Sequence, residues 1–587
     1  MKYTRLRKYA GVIQRDLAAT YSRDLHKWLF VAPIIGVLTG LVITGIAVII
    51  LDVMWPPLLG YFLRHHWAIV PGLLAGFVLT GLIMQFCTPD PNEHSTEEII
   101  RSYHEHQGEI KMRSFLPKIA AAITTVGFGG SAALEGPSIY GGGAIGSWLW
   151  TRLQRLGLDP RDRRIMLISG AAAGMAAVFR APLTGLVFAL EMPYKDDLAH
   201  EALVPSLIAS VVAYGTLISF LGARPLFDFA AATSFSSKDL LWSAVLGLVC
   251  GLITMAFAIT YRRARAVAVR CAIPHWLKLA AGGLLTGLCG LAFVSIFKGS
   301  LIPIGPNYEA VNKILLGRHA TIELALFGAF KLAATLFSLG SGGVSAMFVP
   351  LFLTGASLGT AFGQSVVHSP SVNLYAAVGM AAFIAGGYKT PLAAVVFVAE
   401  ATGGHGFIIP ALVGAAVAYA VSGDASVSAD QHLHEGVRIQ GLGYIPVREV
   451  LQKQVVAIQA SSTLQALADA AQRHPHHTVF PVYEGPRLLG TAPIWSLGKI
   501  SPHLWSQTPV SEVTEREAIR ISGDCDVMEA LNLLRKQPEQ HILLVTRNKN
   551  QLEGVVTKTD ILTALEARLV HAPASGNLQS NLRPSEP

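Results

Sequence analysis

Gly129-Gly130-Ser131-Ala132-Ala133-Leu134-Glu135-Gly136-Pro137, continuing to Gly146-Ser147, occurs a second time as Gly342-Gly343-Val344-Ser345-Ala346-Met347-Phe348-Val349-Pro350, continuing to Gly359-Thr360. A second block, Phe179-Arg180-Ala181-Pro182-Leu183 through Phe188 to Glu191, returns as Tyr388-Lys389-Thr390-Pro391-Leu392 through Phe397 to Glu400. The blocks keep their order and nearly their separation. Such a chain is built from two related halves, whose Gly/Pro-interrupted helices meet at a shared site near a membrane midplane.

Composition supports a membrane protein independently. Hydrophobic residues make up 52% and charged ones 14%, where a soluble domain carries about 25% charged residues. Trp28 to Trp55 holds one charge, Asp52, and Ala68 to Cys87 holds none. Each reaches the roughly 20 residues that cross a hydrocarbon core. Further spans are expected at about 165–190, 202–222, 240–261, 279–297, 321–340, 345–366, 373–399 and 406–422. Glycine and proline interrupt many of them, so short or discontinuous helices are expected. The segment 1–28 mixes basic and acidic residues before a long apolar run, so no cleaved signal is expected and the segment is expected in the cytoplasm.

The net charge of +8 comes from basic flanks such as Arg161/Arg163/Arg164 and Arg262/Arg263/Arg265/Arg270. These read as topology signals, and nucleic acid is not an expected partner. Five scattered cysteines show neither a disulfide framework nor zinc spacing, and His474-Pro475-His476-His477 reads as a polar loop, so no metal is expected.

The expected organisation is a transmembrane domain over 29–425, with halves at about 29–222 and 238–425, followed by a linker over 426–443. From 444 the charges return and apolar runs shorten to strand length. Two small α/β modules are expected, over 444–500 and 507–570, with a disordered tail at 571–587.

Glu135 is the residue that most asks for a function. A carboxylate in a Gly-rich apolar stretch is costly to bury. It sits where a helix should open, among free N–H groups and a dipole that favours negative charge. A free anion would be held there too, so an ionised Glu135 can occupy the anion's place and a protonated one can leave it. A plain helix-capping role is the alternative. The second copy places Phe348 where Glu135 stands, so only one of the two helix tips carries an acid.

With these motifs in hand, the chain resembles the CLC family of chloride channels and proton-coupled chloride transporters, with a C-terminal pair of CBS modules. Glu135-Gly136-Pro137 matches Gly-x-Glu-Gly-Pro, with Ala133 for the leading glycine. Ala346-Met347-Phe348-Val349-Pro350 matches Gly-x-Phe-x-Pro, with Ala346 for the glycine, and Pro182-Leu183 to Glu191 matches the helix that follows the first motif. The resemblance implies an all-α polytopic domain of two inverted repeats of broken helices, plus an α/β CBS pair. It implies a homodimer in a cell membrane among lipid, the bacterial inner membrane above all, with the N-terminus and CBS modules cytoplasmic. It implies an anion transporter or channel, not an enzyme.

Carried over residue by residue, Glu135 resembles the gating glutamate, and the Met347 and Phe348 amides resemble the donors that cradle the central anion, with Gly136 beside them. The family's serine loop aligns with Glu93-His94-Ser95-Thr96-Glu97, placing His94 at the serine in a loop without glycines; a surface-loop role is the alternative for His94. The family's pore tyrosine aligns with Ser428, which leaves selectivity among chloride, nitrate and other anions open. Exchangers usually carry two adjacent glutamates where this chain has Glu191-Met192. Methionine carries no proton, which favours a channel, with Glu191 as the remaining proton-path candidate; exchange, or transport of nitrate or fluoride, is the alternative. In the second CBS module, Gly554 to Asp560 matches a ribose-binding pattern. Thr557 and Asp560 are therefore expected to hold an adenine nucleotide (ATP or AMP), the alternative being a purely structural pair; no cofactor is required for transport.

Overall fold

The computed structural model describes residues 26–571 except 157, 224–226, 228–234, 298, 309, 317–318, 370, 403–404, 434–444, 454, 476, 517, 537–541 and 549–550. Almost all of segment 1–28, residues 434–443 of the linker and all but the first residue of the tail 571–587 lie outside the described residues. Contacts divide the chain into Met1–Glu435 and Gly436–Pro587.

The first unit is helical. A helix over 26–47 (α1) runs through a π-helical turn, Val48–Met54, into α2 (Trp55–Arg64), and is followed by α3 (Ile69–Cys87), α4 (Ser95–Glu105) and α5 (Phe115–Gly127). Next come α6 (Glu135–Leu153), α7 (Pro160–Phe179), α8 (Pro182–Glu191) and α9 (Leu203–Leu221). The second half holds α10 (Ser237–Arg270), α11 (His275–Ile296), α12 (Ala310–Leu316), α13 (Thr321–Gly340) and α14 (Phe348–Phe362). It ends with α15 (Val372–Tyr388), α16 (Pro391–Thr402) and α17 (Ile408–Val421). Among the described residues, six helices are long and apolar enough to cross a membrane.

Two expected spans each divide in two. The stretch 165–190 breaks at Arg180 (φ 54°) and 373–399 breaks at Lys389 (φ 61°), both left-handed turns. Pro182 and Pro391 follow two residues later, and proline disfavours helix in the residue before it. The resulting α8 and α16 have 10 and 12 residues, about 15–18 Å, or half a hydrocarbon core. The helices α4 and α5 stand outside every expected span. The sequence of α4 is polar, and it is buried through an ion pair, Glu98 to Lys118 of α5 at 2.6 Å.

The repeat is built into the backbone. Gly129 (φ +102°) and Gly342 (φ +117°) make the same turn before each motif, a conformation that L side chains avoid. Each motif loop then donates an amide to a hydroxyl before the other: Ser131 N to Ser338 Oγ at 3.0 Å, and Val344 N to Thr125 Oγ1 at 3.2 Å. The loops meet in an antiparallel bridge, Ala133 N to Ala346 O at 3.0 Å. Behind them α6 packs on α7, and α14 on α15, with backbones nearly touching. A Cβ on Gly142 would lie 2.0 Å from the Gly170 carbonyl, and one on Gly355 would lie 2.2 Å from that of Gly379.

The N-termini of α8 and α16 would otherwise carry bare amides, which are costly to bury without partners. Each is capped by an acid of the other half. Glu400 accepts from Leu183 N (2.9 Å) and Thr184 N (2.6 Å), and Glu191 accepts from Leu392 N (3.0 Å) and Ala393 N (2.8 Å).

The first unit extends beyond the expected boundary at 425. Residues 426–433, read as linker, pack inside it. The side-chain amide of Gln431 lies within 3.1 Å of the carbonyls of Met192, Tyr194 and Tyr388. A polar stretch of this kind resembles a tether in composition, yet its polar groups serve helix ends.

The second unit holds two sheets of one plan. The first runs β1 (Ile458–Gln459), α18 (Leu464–Arg473), β2 (Val479–Glu484) and β3 (Arg487–Pro493). The second runs β4 (Arg520–Ile521), α19 (Val527–Lys536), β5 (Ile542–Asn548), β6 (Gln551–Thr557) and α20 (Lys558–His571). In each, the first strand is parallel to the second and the third is antiparallel to it. The leading segments are exchanged relative to the expected module boundaries. Val447 N donates to Cys525 O (2.8 Å) in the second module, while Val510 N donates to Ser462 O (2.8 Å) in the first.

Candidate functional site

Glu135 opens α6 at the point where the two motif loops cross, and it is fully buried. Its Oε1 accepts the Phe348 N–H that opens α14, a bond between residues 213 apart in the chain. Its Oε2 is buried without a partner among the described atoms. The acid of one repeat thus lies on the helix tip of the other, as the motif reading expects. Gly136 follows because nothing larger fits: a Cβ there would stand 2.6 Å from Ser95 Oγ and 2.7 Å from Ala346 N.

A cavity is lined by His94–Glu97, Tyr261, Ser345–Met347, Tyr388, Val427 and Ser428, and it reaches the carboxylate's neighbour Tyr388, whose hydroxyl lies 3.5 Å from Glu135 Oε1. It joins three of the expected positions, His94, Met347 and Ser428, which come from separate parts of the chain. Ser428 is buried here, its N–H given to Ser426 Oγ at 3.1 Å. The expected serine loop forms without glycine because Ser95 itself takes the left-handed conformation (φ 64°). Ion pairs fix α4 beside the cavity. Arg101 reaches Glu93 at 2.5 Å and Asp430 at 2.9 Å, tying the helix to the segment that carries Ser428.

The tip of α4 is rich in unused polar groups. His94 Nδ1, Ser95 Oγ and Thr96 Oγ1 are all buried without a partner among the described atoms. The other histidine nitrogen, Nε2, lies 2.7 Å from Arg265 Nη2, which also donates to Asn92 O at 2.9 Å. A guanidinium can only donate, so Nε2 accepts and the ring proton of a neutral His94 sits on Nδ1. The arrangement makes His94, a residue that lines the cavity, a buried donor, as a serine hydroxyl would be. Its surface-loop alternative has no support, since the residue is 5% exposed.

Of the two amides expected to cradle an anion, neither is free. Phe348 N is taken by Glu135. Met347 N donates to Tyr388 Oη at 2.9 Å, and that hydroxyl lies 3.5 Å from Glu135 Oε1. Tyr388 and Arg265 are the residues that sequence reasoning missed. Tyr388 stood in the quoted repeat, where its counterpart is Phe179, and that one hydroxyl was the available signal. Arg265 carried none, being read as part of a basic flank.

Glu191, the expected proton-path residue, has both oxygens engaged by the α16 amides, and Met192 beside it is buried and apolar. In the second unit, Asp560 Oδ2 accepts from Thr557 N (2.9 Å) and Thr557 Oγ1 (2.7 Å), and Asp560 N returns a bond to Thr557 Oγ1. Asp560 Oδ1 accepts from Gln452 Nε2 at 3.0 Å. The pair brought together by the motif therefore caps α20.

The chain is similar to several known proteins. The family described as voltage gated chloride channel matches residues 75–423, and the CBS domain family matches residues 510–567. A putative chloride channel protein ClcB-like of Ralstonia nicotianae is 28% identical over 365 residues, 60% of this chain and 82% of that one. The H(+)/Cl(-) exchange transporter ClcA of Yersinia pestis is 27% identical over 402 residues, 66% and 82% of the two chains. Among solved structures, a CLC-type fluoride/proton antiporter superposes with a TM-score of 0.62 at 22% identity, covering 70% of this chain and 98% of that one.

Proposed function

The chain belongs to the voltage-gated chloride channel (CLC) family, and from that premise we propose that it conducts chloride through a pathway gated by Glu135. The bond from Phe348 N to Glu135 Oε1 carries this reading. A carboxylate seated on a helix-tip amide holds the position that a passing anion needs, and protonation weakens its hold. The seat lies between the tips of α4 and α14, with His94, Met347, Phe348 and Ser428 around it and Gly136 keeping the loops close. Hydrogen-bond donors at helix ends bind a halide without the fixed charge that would retain it.

Channel-like conduction is the reading that Met192 and the engaged oxygens of Glu191 favour, since together they leave the family's inner relay without a free acid. Proton-coupled exchange is the second reading. It is favoured by Glu97, a carboxylate that lines the same cavity, and by the exchange activity named for the Yersinia relative. Purified protein in liposomes is expected to pass chloride down its gradient with no stoichiometric proton uptake, recorded by chloride and pH electrodes together. Uphill proton movement driven by a chloride gradient would replace conduction with exchange.

We also propose that the CBS pair senses an adenine nucleotide through Thr557 and Asp560. A ribose would displace Gln452 from Asp560 Oδ1 while the bonds that cap α20 persist. ATP or AMP is expected to raise the melting temperature of the C-terminal unit in the full chain. At 100 times Kd the stabilisation is about 2.7 kcal/mol, and Asp560→Ala should remove it. No shift with either nucleotide would leave the pair a structural module.

A further inference from the structure

Tyr388 is a polar group that the repeat does not predict. In the first half, Glu135 and Phe179 hold the positions that Phe348 and Tyr388 hold in the second. Each half thus contributes one apolar and one polar member, and the partners cross. Phe179 lies on the Phe348 ring, with centroids 5.0 Å apart, while the Tyr388 hydroxyl lies 3.5 Å from Glu135 Oε1.

The phenol ring is fixed by packing against Phe188 at 5.5 Å and Phe348 at 6.1 Å, and the residue is 3% exposed. Its oxygen accepts the Met347 N–H at 2.9 Å, leaving the O–H proton for something else. The carboxylate at 3.5 Å is at the outer limit of a hydrogen bond. The ring also lines the cavity that holds the unpartnered His94 Nδ1. An accepted hydrogen bond polarises a hydroxyl and strengthens it as a donor.

Resting on the anion-pathway reading above, we infer that the Tyr388 hydroxyl contacts the transported anion directly, passing on the polarity of the Met347 amide that it has taken. The ion class is a small monovalent anion, for which a neutral O–H donor is enough. With Glu135 withdrawn, the hydroxyl turns from the carboxylate to the ion without moving its ring. Tyr388 then sets selectivity from a different element than Ser428, which lines the same cavity.

The test uses full-length protein in liposomes with chloride, bromide and nitrate as probe ions. Tyr388→Phe keeps the ring contacts and deletes the donor. It should raise half-saturating chloride by about 10- to 100-fold, the size of one hydrogen bond to a charged partner, and narrow the differences among the three ions. Should that variant fail to fold, 3-fluorotyrosine at position 388 keeps the shape and makes a stronger donor, and half-saturating chloride should fall. Wild-type protein that moves chloride, with half-saturation unchanged in either variant, overturns the role of Tyr388 alone. Wild-type protein that moves none of the three ions overturns this inference and the transport reading together.

Discussion

Replacing Glu135 with glutamine is expected to abolish the pH dependence of anion flux. On the proposed gating, the ionised carboxylate that accepts from Phe348 N blocks the α14 tip. As pH falls it gains a proton, the charge that held it to the amide and helix dipole disappears, and an anion can compete for the seat. Flux should therefore rise with falling pH. A charge-assisted hydrogen bond is worth about 1.5–3 kcal/mol, so relief of the block corresponds to about a 10- to 100-fold gain at limiting acidity. Glutamine has the shape of the protonated acid and never carries its charge. Glu135→Gln should conduct at high pH as the wild type does at low pH, with a flat profile between. Chloride efflux from liposomes across pH 4.5 to 8 measures this, and a glutamine variant that keeps the wild-type slope would exclude Glu135 as the gate.

The residues that could be read from sequence are those whose chemistry is local. Glu135, Met347 and Phe348 announce themselves because the motif encodes a helix tip between glycine and proline, whose free amides favour negative charge. The divided spans were harder. Hydropathy averages over Arg180 and Lys389 as single charges, whereas in the fold each is a left-handed turn that starts a half-length helix. The prolines behind them were the visible cue. The acids Glu191 and Glu400 could be seen in the repeat, but their mutual capping depends on the two-fold arrangement of the halves. Polar residues 426–433 resembled a tether because composition does not say which carbonyls a side chain such as Gln431 will meet. The exchange of Val447 and Val510 between the CBS modules is equally silent, since two short apolar segments of similar sequence carry no address. The pairing of Arg265 with His94 joins residues 171 apart and follows no periodicity.

That pairing makes His94 the second strong test. Arg265 holds Nε2 as an acceptor, so Nδ1–H is the donor left over, buried and without a partner among the described atoms. An unmet buried donor is costly, by about 1–3 kcal/mol, and a bound anion is what would recover that cost. His94→Ala removes the donor and should raise half-saturating chloride about 10- to 100-fold. His94→Asn is the informative comparison, because its side-chain nitrogen falls near the position of Nδ1. It should keep affinity within several-fold of wild type, while His94→Gln, which projects its amide farther out, should not. Arg265→Met should fall between alanine and wild type, because the ring can then place its proton on either nitrogen and only some molecules offer Nδ1–H. Chloride titration of the purified variants ranks the four. A histidine that merely fills space would give asparagine no advantage over alanine and Arg265→Met no effect, and that ranking would remove His94 from the anion site.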